Sequence, residues 1–207
     1  MECLSIVADA ASEADVGDVV AATIRAFGRI DVLHDNVCVL TFSSVVETDV
    51  ATWDRIMALN VRSMFLATRA VLPHMISAGG GAIVNVSALA SLRYLGPAIT
   101  YTTAKAAVNG CTQRVALGNA RHGIRCKAVL PGFIDTPVGL SVYERGDPAE
   151  AEARKVRRNA CLPGGRAGEP WDIAAASLYL ASNALSYVNG VLLSVDAGVS
   201  QCSPTGV

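Results

Sequence analysis

Short apolar runs that read as buried strands alternate with longer segments of helical periodicity from Leu4 to Val195, and this alternation constrains the fold more than any other feature of the chain. A strand, a helix and a further strand return to one sheet in parallel, so the pattern predicts an open, doubly wound parallel α/β sheet with helices on both faces. Strands are expected at Leu4 to Ala8, Ile30 to Leu33, Ala82 to Val86, Arg125 to Leu130 and Val191 to Val195. Between them, Ser12 to Phe27 reads as a helix with Ser12 as N-cap and Asp15 at its third position. Asp49 to Ser77 reads as a long helix, apolar at Trp53, Ile56, Met57, Met64, Phe65 and Leu66, which Pro73 should bend or stop and Gly79-Gly80-Gly81 should end. Further helices are expected at about Tyr101 to Arg121 and Glu169 to Ser182. The polar stretch Gly139 to Gly165 carries a charged helical patch from Ala149 to Arg158, which reads as a flexible lid or as no more than a solvated face. Repeats and low-complexity linkers are absent, and 207 residues suffice for one domain, 1–207, with a full core.

Composition narrows the function. Only 17% of residues are charged and the net charge is −1, so the chain lacks the electrostatic footprint of a nucleic-acid binder. No apolar run reaches the roughly 18 residues of a membrane span, and the first twenty residues lack an export signal, so neither membrane nor export is indicated and a cytoplasmic location is the default. Cys3, Cys38, Cys111, Cys126, Cys161 and Cys202 show no metal-ligand spacing; reduced, mostly buried thiols are expected, with no metal site.

The chemistry centres on Tyr101 and Lys105 in YTTAK, four residues apart and therefore on one helix face about 5 to 6 Å apart. A phenol ionises near ~10, and a fixed cation beside it lowers that value toward neutrality, where a proton donor is useful. Alone, this spacing is common on solvated helices. Here it sits between the strand of GGGAIVNVSALAS and a second strand that ends in Pro131-Gly132.

Taken in order, GRIDVLHDN, LNVRSMF, IVNVS, YTTAK, PGFIDTP, GRAGEPWDIA and VDAG make the chain resemble the short-chain dehydrogenase/reductase family over nearly all of its length. The resemblance implies a Rossmann-like sheet and an NAD- or NADP-dependent oxidoreductase that interconverts a small secondary alcohol and a ketone. It implies catalytic roles for Tyr101, Lys105, Asn60 and a Ser at Ser87, and cofactor contacts from Asp9, Asn36, Tyr101, Lys105, Pro131, Gly132, Ile134 and Thr136. It also implies a homodimer or homotetramer built on the helices at Asp49 to Ser77 and Tyr101 to Arg121, where Met64, Phe65, Thr68, Val108, Cys111 and Val115 would supply apolar surface. From the residues alone, Asn60 is either the seat of a kink that holds a relay water or a solvated Asn. Asp9 is equally well an N-capping acid, and Pro131-Gly132 an ordinary strand-ending turn.

The chain departs from the family pattern in three places. The family's Ser thirteen residues before the Tyr falls at Ala88, so Ser87 is one residue out of register. Asp35, Val37 and Cys38 replace Asn, Ala and Gly of the family's four-residue motif, and Cys38 is expected to crowd the cofactor or to be a bland hydrophobe. The opening strand, Gly-rich turn and helix that hold the pyrophosphate are not found ahead of Leu4, so the sheet reads as N-terminally truncated and cofactor binding as weak. The Leu4 strand is then expected to lie beside the Ile30 strand, and a truncated, catalytically silent homologue acting as a folded subunit or interaction partner is the alternative function.

Overall fold

The structure is a computed structural model that describes residues 2–140 and 147–202. Its centre is a parallel sheet in the order β1 (Val32–Asp35), β2 (Gly81–Val86), β3 (Ile124–Pro131) and β4 (Leu192–Val195). Register pairs Val32 with Ala82, Ile83 with Cys126 and Val129 with Leu193. The two central strands carry the apolar, β-branched runs that a sheet covered on both faces requires. Successive side chains leave by opposite faces. Ile83 packs with Val20, Val71, Met75 and Ala116 under α1 (Glu13–Phe27), α3 (Ser63–Ser77) and α4 (Ile99–Asn119). Val84 packs with Val129 and Leu180 under α7 (Pro170–Ala181).

Local chemistry explains most boundaries. Ser12 accepts a hydrogen bond from Asp15 N at 3.3 Å and caps α1, as its sequence requires. Gly79, at φ 79°, ends the helix before β2 in a conformation that L side chains rarely adopt. The long helix expected from Asp49 is α2 (Val50–Met57) and α3 joined by a π-helical turn over Ala58–Arg62, with Asn60 inside it. Pro73 does not stop α3, which runs on to Ser77. One missing N–H is a small loss against the burial of Val71 and Met75 on either side.

Three expectations fail. Leu4 to Ala8 is not a strand: Leu4, Ile6 and Val7 are exposed and β1 has no strand on its outer side among the described residues. An apolar run becomes a strand only where a neighbour satisfies its peptide groups, and none stands within reach. The run Ile30 to Leu33 pairs two residues later than expected, as Val32–Asp35. In the lid stretch, α5 (Pro137–Leu140) and α6 (Pro148–Ala160) are helical, while 141–146 lie outside the described residues. Of the thiols only Cys126 is buried, and Cys3, Cys161 and Cys202 are exposed, so the cysteines are not mostly interior.

Candidate active site

The carboxyl ends of β1, β2 and β3 open onto a cavity of about 480 Å³, the position where an open parallel sheet binds its ligands. Each strand delivers the residues that follow it. Asn36 and Cys38 come after β1, Ser87 and Ala88 after β2, and Pro131, Gly132, Ile134 and Thr136 from the end of β3 onward; α4 contributes Tyr101, Thr102 and Lys105. Eight of the ten residues singled out from the sequence therefore share one wall or another of this space. Asp9 and Asn60 do not line it.

Lys105 is almost wholly buried, and its ammonium donates to the Val86 carbonyl at 2.7 Å. It stands 5.9 Å from the centre of the Tyr101 ring, which confirms the shared face. Burial lowers the basicity of Lys105, opposed by Cys38 and Asp35. The phenol of Tyr101 is held above its ordinary range, by burial first and by the neighbouring Cys38 next. This corrects the expectation that Lys105 depresses it: the ammonium is turned toward the end of β2. Asp35 ends β1 beside this group, raised by burial and opposed by the Val37 N–H and Lys105. One of its carboxylate oxygens has no hydrogen-bond partner.

Ser87 faces the cavity although it is one residue out of the expected register, and its hydroxyl donates to the Lys105 carbonyl at 3.1 Å. Ala88 beside it is extended at φ −162° and also lines the cavity. Asn60, 2% exposed, is neither solvated nor directed at the cavity. Its Oδ1 accepts from Val39 N and its Nδ2 donates to Val39 O, each at 2.8 Å. It clamps the peptide that follows Cys38. Asp9 sits in the turn before α1, accepting from Ala11 N, and its own N–H donates to Asp15; the helix-entry reading is the one its contacts support. At Gly132 an added Cβ would come within 2.7 Å of Asp196 Cβ, so this strand end is more than an ordinary turn: it is a close approach that only glycine allows.

Sequence reasoning missed Arg158, which lines the cavity from α6 and is buried. Its signal was the seven-residue spacing from Ala151, the other buried residue of that helix.

Comparison with known proteins places the chain among relatives of the same fold. A family model described as enoyl-(acyl carrier protein) reductase matches residues 1–200. The chain is 41% identical over 196 residues to 2-(R)-hydroxypropyl-CoM dehydrogenase of Xanthobacter autotrophicus (strain ATCC BAA-1158 / Py2), covering 93% of this chain and 76% of that protein. Ligand-free aldohexose dehydrogenase of Thermoplasma acidophilum superposes with a TM-score of 0.93 at 30% identity, over 98% of this chain and 80% of that one. ElxO with NADP bound superposes with a TM-score of 0.84 at 27% identity, over 92% and 75%. By its matched residues, its sheet and its relatives, the chain belongs to the short-chain dehydrogenase/reductase family.

Proposed function

We propose that the chain interconverts a small secondary alcohol and a ketone with NAD or NADP, with Tyr101 as the general acid and base. The observation that carries this reading is the convergence of Tyr101, Lys105 and Ser87 with Asn36, Gly132, Ile134 and Thr136 on one cavity at the carboxyl ends of parallel strands. Relatives named as dehydrogenases of a hydroxypropyl compound and of an aldohexose, and a neighbour with NADP bound, support it.

The residues present fit the nicotinamide end of such a cofactor. Asn36, Tyr101 and Lys105 bring polar side chains to the cavity, and the end of β3 from Pro131 to Thr136 forms its facing wall. The bound dinucleotide would supply hydride exchange; the chain must move the proton. During reduction the phenol of Tyr101 gives its proton to the carbonyl oxygen, and during oxidation it takes one from the alcohol. To stabilise the phenolate left behind, the ammonium of Lys105 must leave the Val86 carbonyl and turn toward Tyr101; the hydroxyl of Ser87, once released from the Lys105 carbonyl, polarises the same oxygen, and Asn60 acts indirectly by holding Val39.

The first thirty residues hold only Gly17 and Gly28, without a Gly-rich turn. We infer that residues 1–30 supply few of the charge-assisted backbone bonds that hold a pyrophosphate, each worth about 1.5 to 3 kcal/mol. The polypeptide 1–207 by itself should accordingly bind NAD and NADP with a Kd of ~1 mM or weaker, near −4 kcal/mol, as calorimetric titration would read. A second reading, a folded but silent homologue, is favoured by the engagement of Ser87 and Lys105 with backbone carbonyls. Nicotinamide absorbance with a panel of secondary alcohols and ketones decides between them. Turnover that falls by a factor on the order of 10² in Tyr101→Phe supports the first reading; equal turnover in that variant removes Tyr101 from the reaction, and no turnover with any pair at cofactor concentrations above the measured Kd supports the second.

A further inference from the structure

Helix α6 carries six charged residues among its 13, and the two residues it buries are Ala151 and Arg158. A helix without an apolar stripe cannot hold itself over a cavity by packing, and α6 makes little contact with the strands or the other helices. Arg158 provides a polar attachment. One of its terminal nitrogens lies 2.9 Å from a carboxylate oxygen of Asp135, with side chains 6% and 45% exposed respectively. Its Nε also donates to Asn159 Oδ1 at 2.9 Å.

Asp135 belongs to the segment Phe133–Thr136, which is braced on Gly168: Gly168 N donates to Phe133 O and Asp135 N donates to Gly168 O, both at 2.9 Å. Phe133, Ile134 and Thr136 line the cavity, and so does Arg158. The ion pair therefore joins two of its walls.

We propose that Asp135 and Arg158 form a latch that seats α6 on the Phe133–Thr136 segment and sets the width of the cavity's substrate end. This makes both of them positioning residues for the reaction proposed above, on which the assignment of that end rests. Removing the carboxylate leaves a guanidinium in a poorly solvated wall without that compensation, which is the costly way to break such a pair. The least expensive relief is local: α6 lifts while the sheet stays intact.

Hydrogen exchange read by mass spectrometry tests the latch on the 207-residue chain without any need for turnover. In Asp135→Asn, and again in Arg158→Gln, amides of 148–160 should exchange about tenfold faster or more, while those of β2 and β3 keep their rates. Arg158→Lys, which keeps the charge but loses the planar fork, should fall between these variants and the parent. Unchanged exchange in 148–160 overturns the proposal, as does an equal acceleration of β2 and β3. Where turnover is measurable, Asp135→Asn should raise KM several-fold with a smaller change in kcat; an equal loss in kcat overturns the positioning role. Faster exchange in a chain that turns over no alcohol or ketone would reject the proposed function and leave the latch standing.

Discussion

At the scale of single residues the chain places several titratable groups where water cannot reach them, and their shifts make testable statements about pH. Lys127 is wholly buried on β3, its ammonium donating to the carbonyls of Leu180 at 2.6 Å and Leu185 at 3.0 Å. Arg125 reaches the same helix end through Ala181 O. Two cations thus meet the unsatisfied carbonyls at the close of α7, where the helix dipole favours positive charge. Burial and the neighbouring Arg125 still push Lys127 down to about 8. Its folded value lies below its unfolded one, so the unfolded chain binds more protons between them and stability should rise as pH climbs from about 8 toward 10. Lys105, also lowered by burial, acts in the same direction. Cys126, pushed up to about 12 by burial, acts against it once an unfolded thiol ionises above pH ~9. Melting temperatures compared at pH 7.5 and 9 should therefore rise for the parent and rise less for Lys127→Met. An equal rise in both would show that Lys127 is not the group responsible. In the same way Tyr101 and Lys105 were legible from their spacing, whereas the direction of the Tyr101 shift was not, because it depends on where the ammonium of Lys105 points and on Cys38.

At the scale of elements the break between α2 and α3 shows what sequence can and cannot carry. Apolar periodicity gave one helix from Asp49 to Ser77, and Asn60 in its middle marked an interruption. The form of that interruption depended on a residue twenty-one positions earlier: a π-helical turn presents the Asn60 amide to both backbone groups of Val39. Long-range pairing of this kind leaves no periodic signal. It does give a sharp expectation. Asn60→Ala strands one N–H and one C=O of a partly buried peptide, at about 1 to 3 kcal/mol for an unsatisfied group, so denaturant unfolding should show a loss of roughly 2 kcal/mol or more. A loss under about 0.5 kcal/mol would mean that water repays both bonds. The strand error has a similar origin. Leu4 to Ala8 has the composition of a buried strand, but composition cannot reveal whether an edge stands next to it. By contrast the strands β2 and β3, the Ser12 cap of α1 and the glycine run that follows α3 were readable, since their determinants lie within a few residues of one another.

At the scale of the molecule the α/β alternation was legible because each unit closes on its neighbour through a short connection, while the surfaces left over by that closure were not. Self-association was expected through Met64, Phe65, Thr68, Val108, Cys111 and Val115. The structure corrects that set: Met64, Thr68 and Val108 are buried within the chain, leaving Phe65 strongly exposed and adding Leu117, which is 72% exposed on α4. A second apolar surface lies at the sheet edge, where Val32 on β1 is 47% exposed and no strand covers it among the described residues. An uncovered edge offers unpaired N–H and C=O groups to another chain, and a charged side chain there is the usual protection against such pairing. The two surfaces make different claims about how copies meet. Light scattering of the 207-residue chain at micromolar concentration should give a mass above that of one copy. If the helix faces associate, Leu117→Glu should return the monomer while Val32→Lys leaves the mass unchanged; if the edge associates, the effects should exchange places. A parent that scatters as a monomer removes both, and the apolar side chains at Phe65, Leu117 and Val32 would then simply be exposed to water.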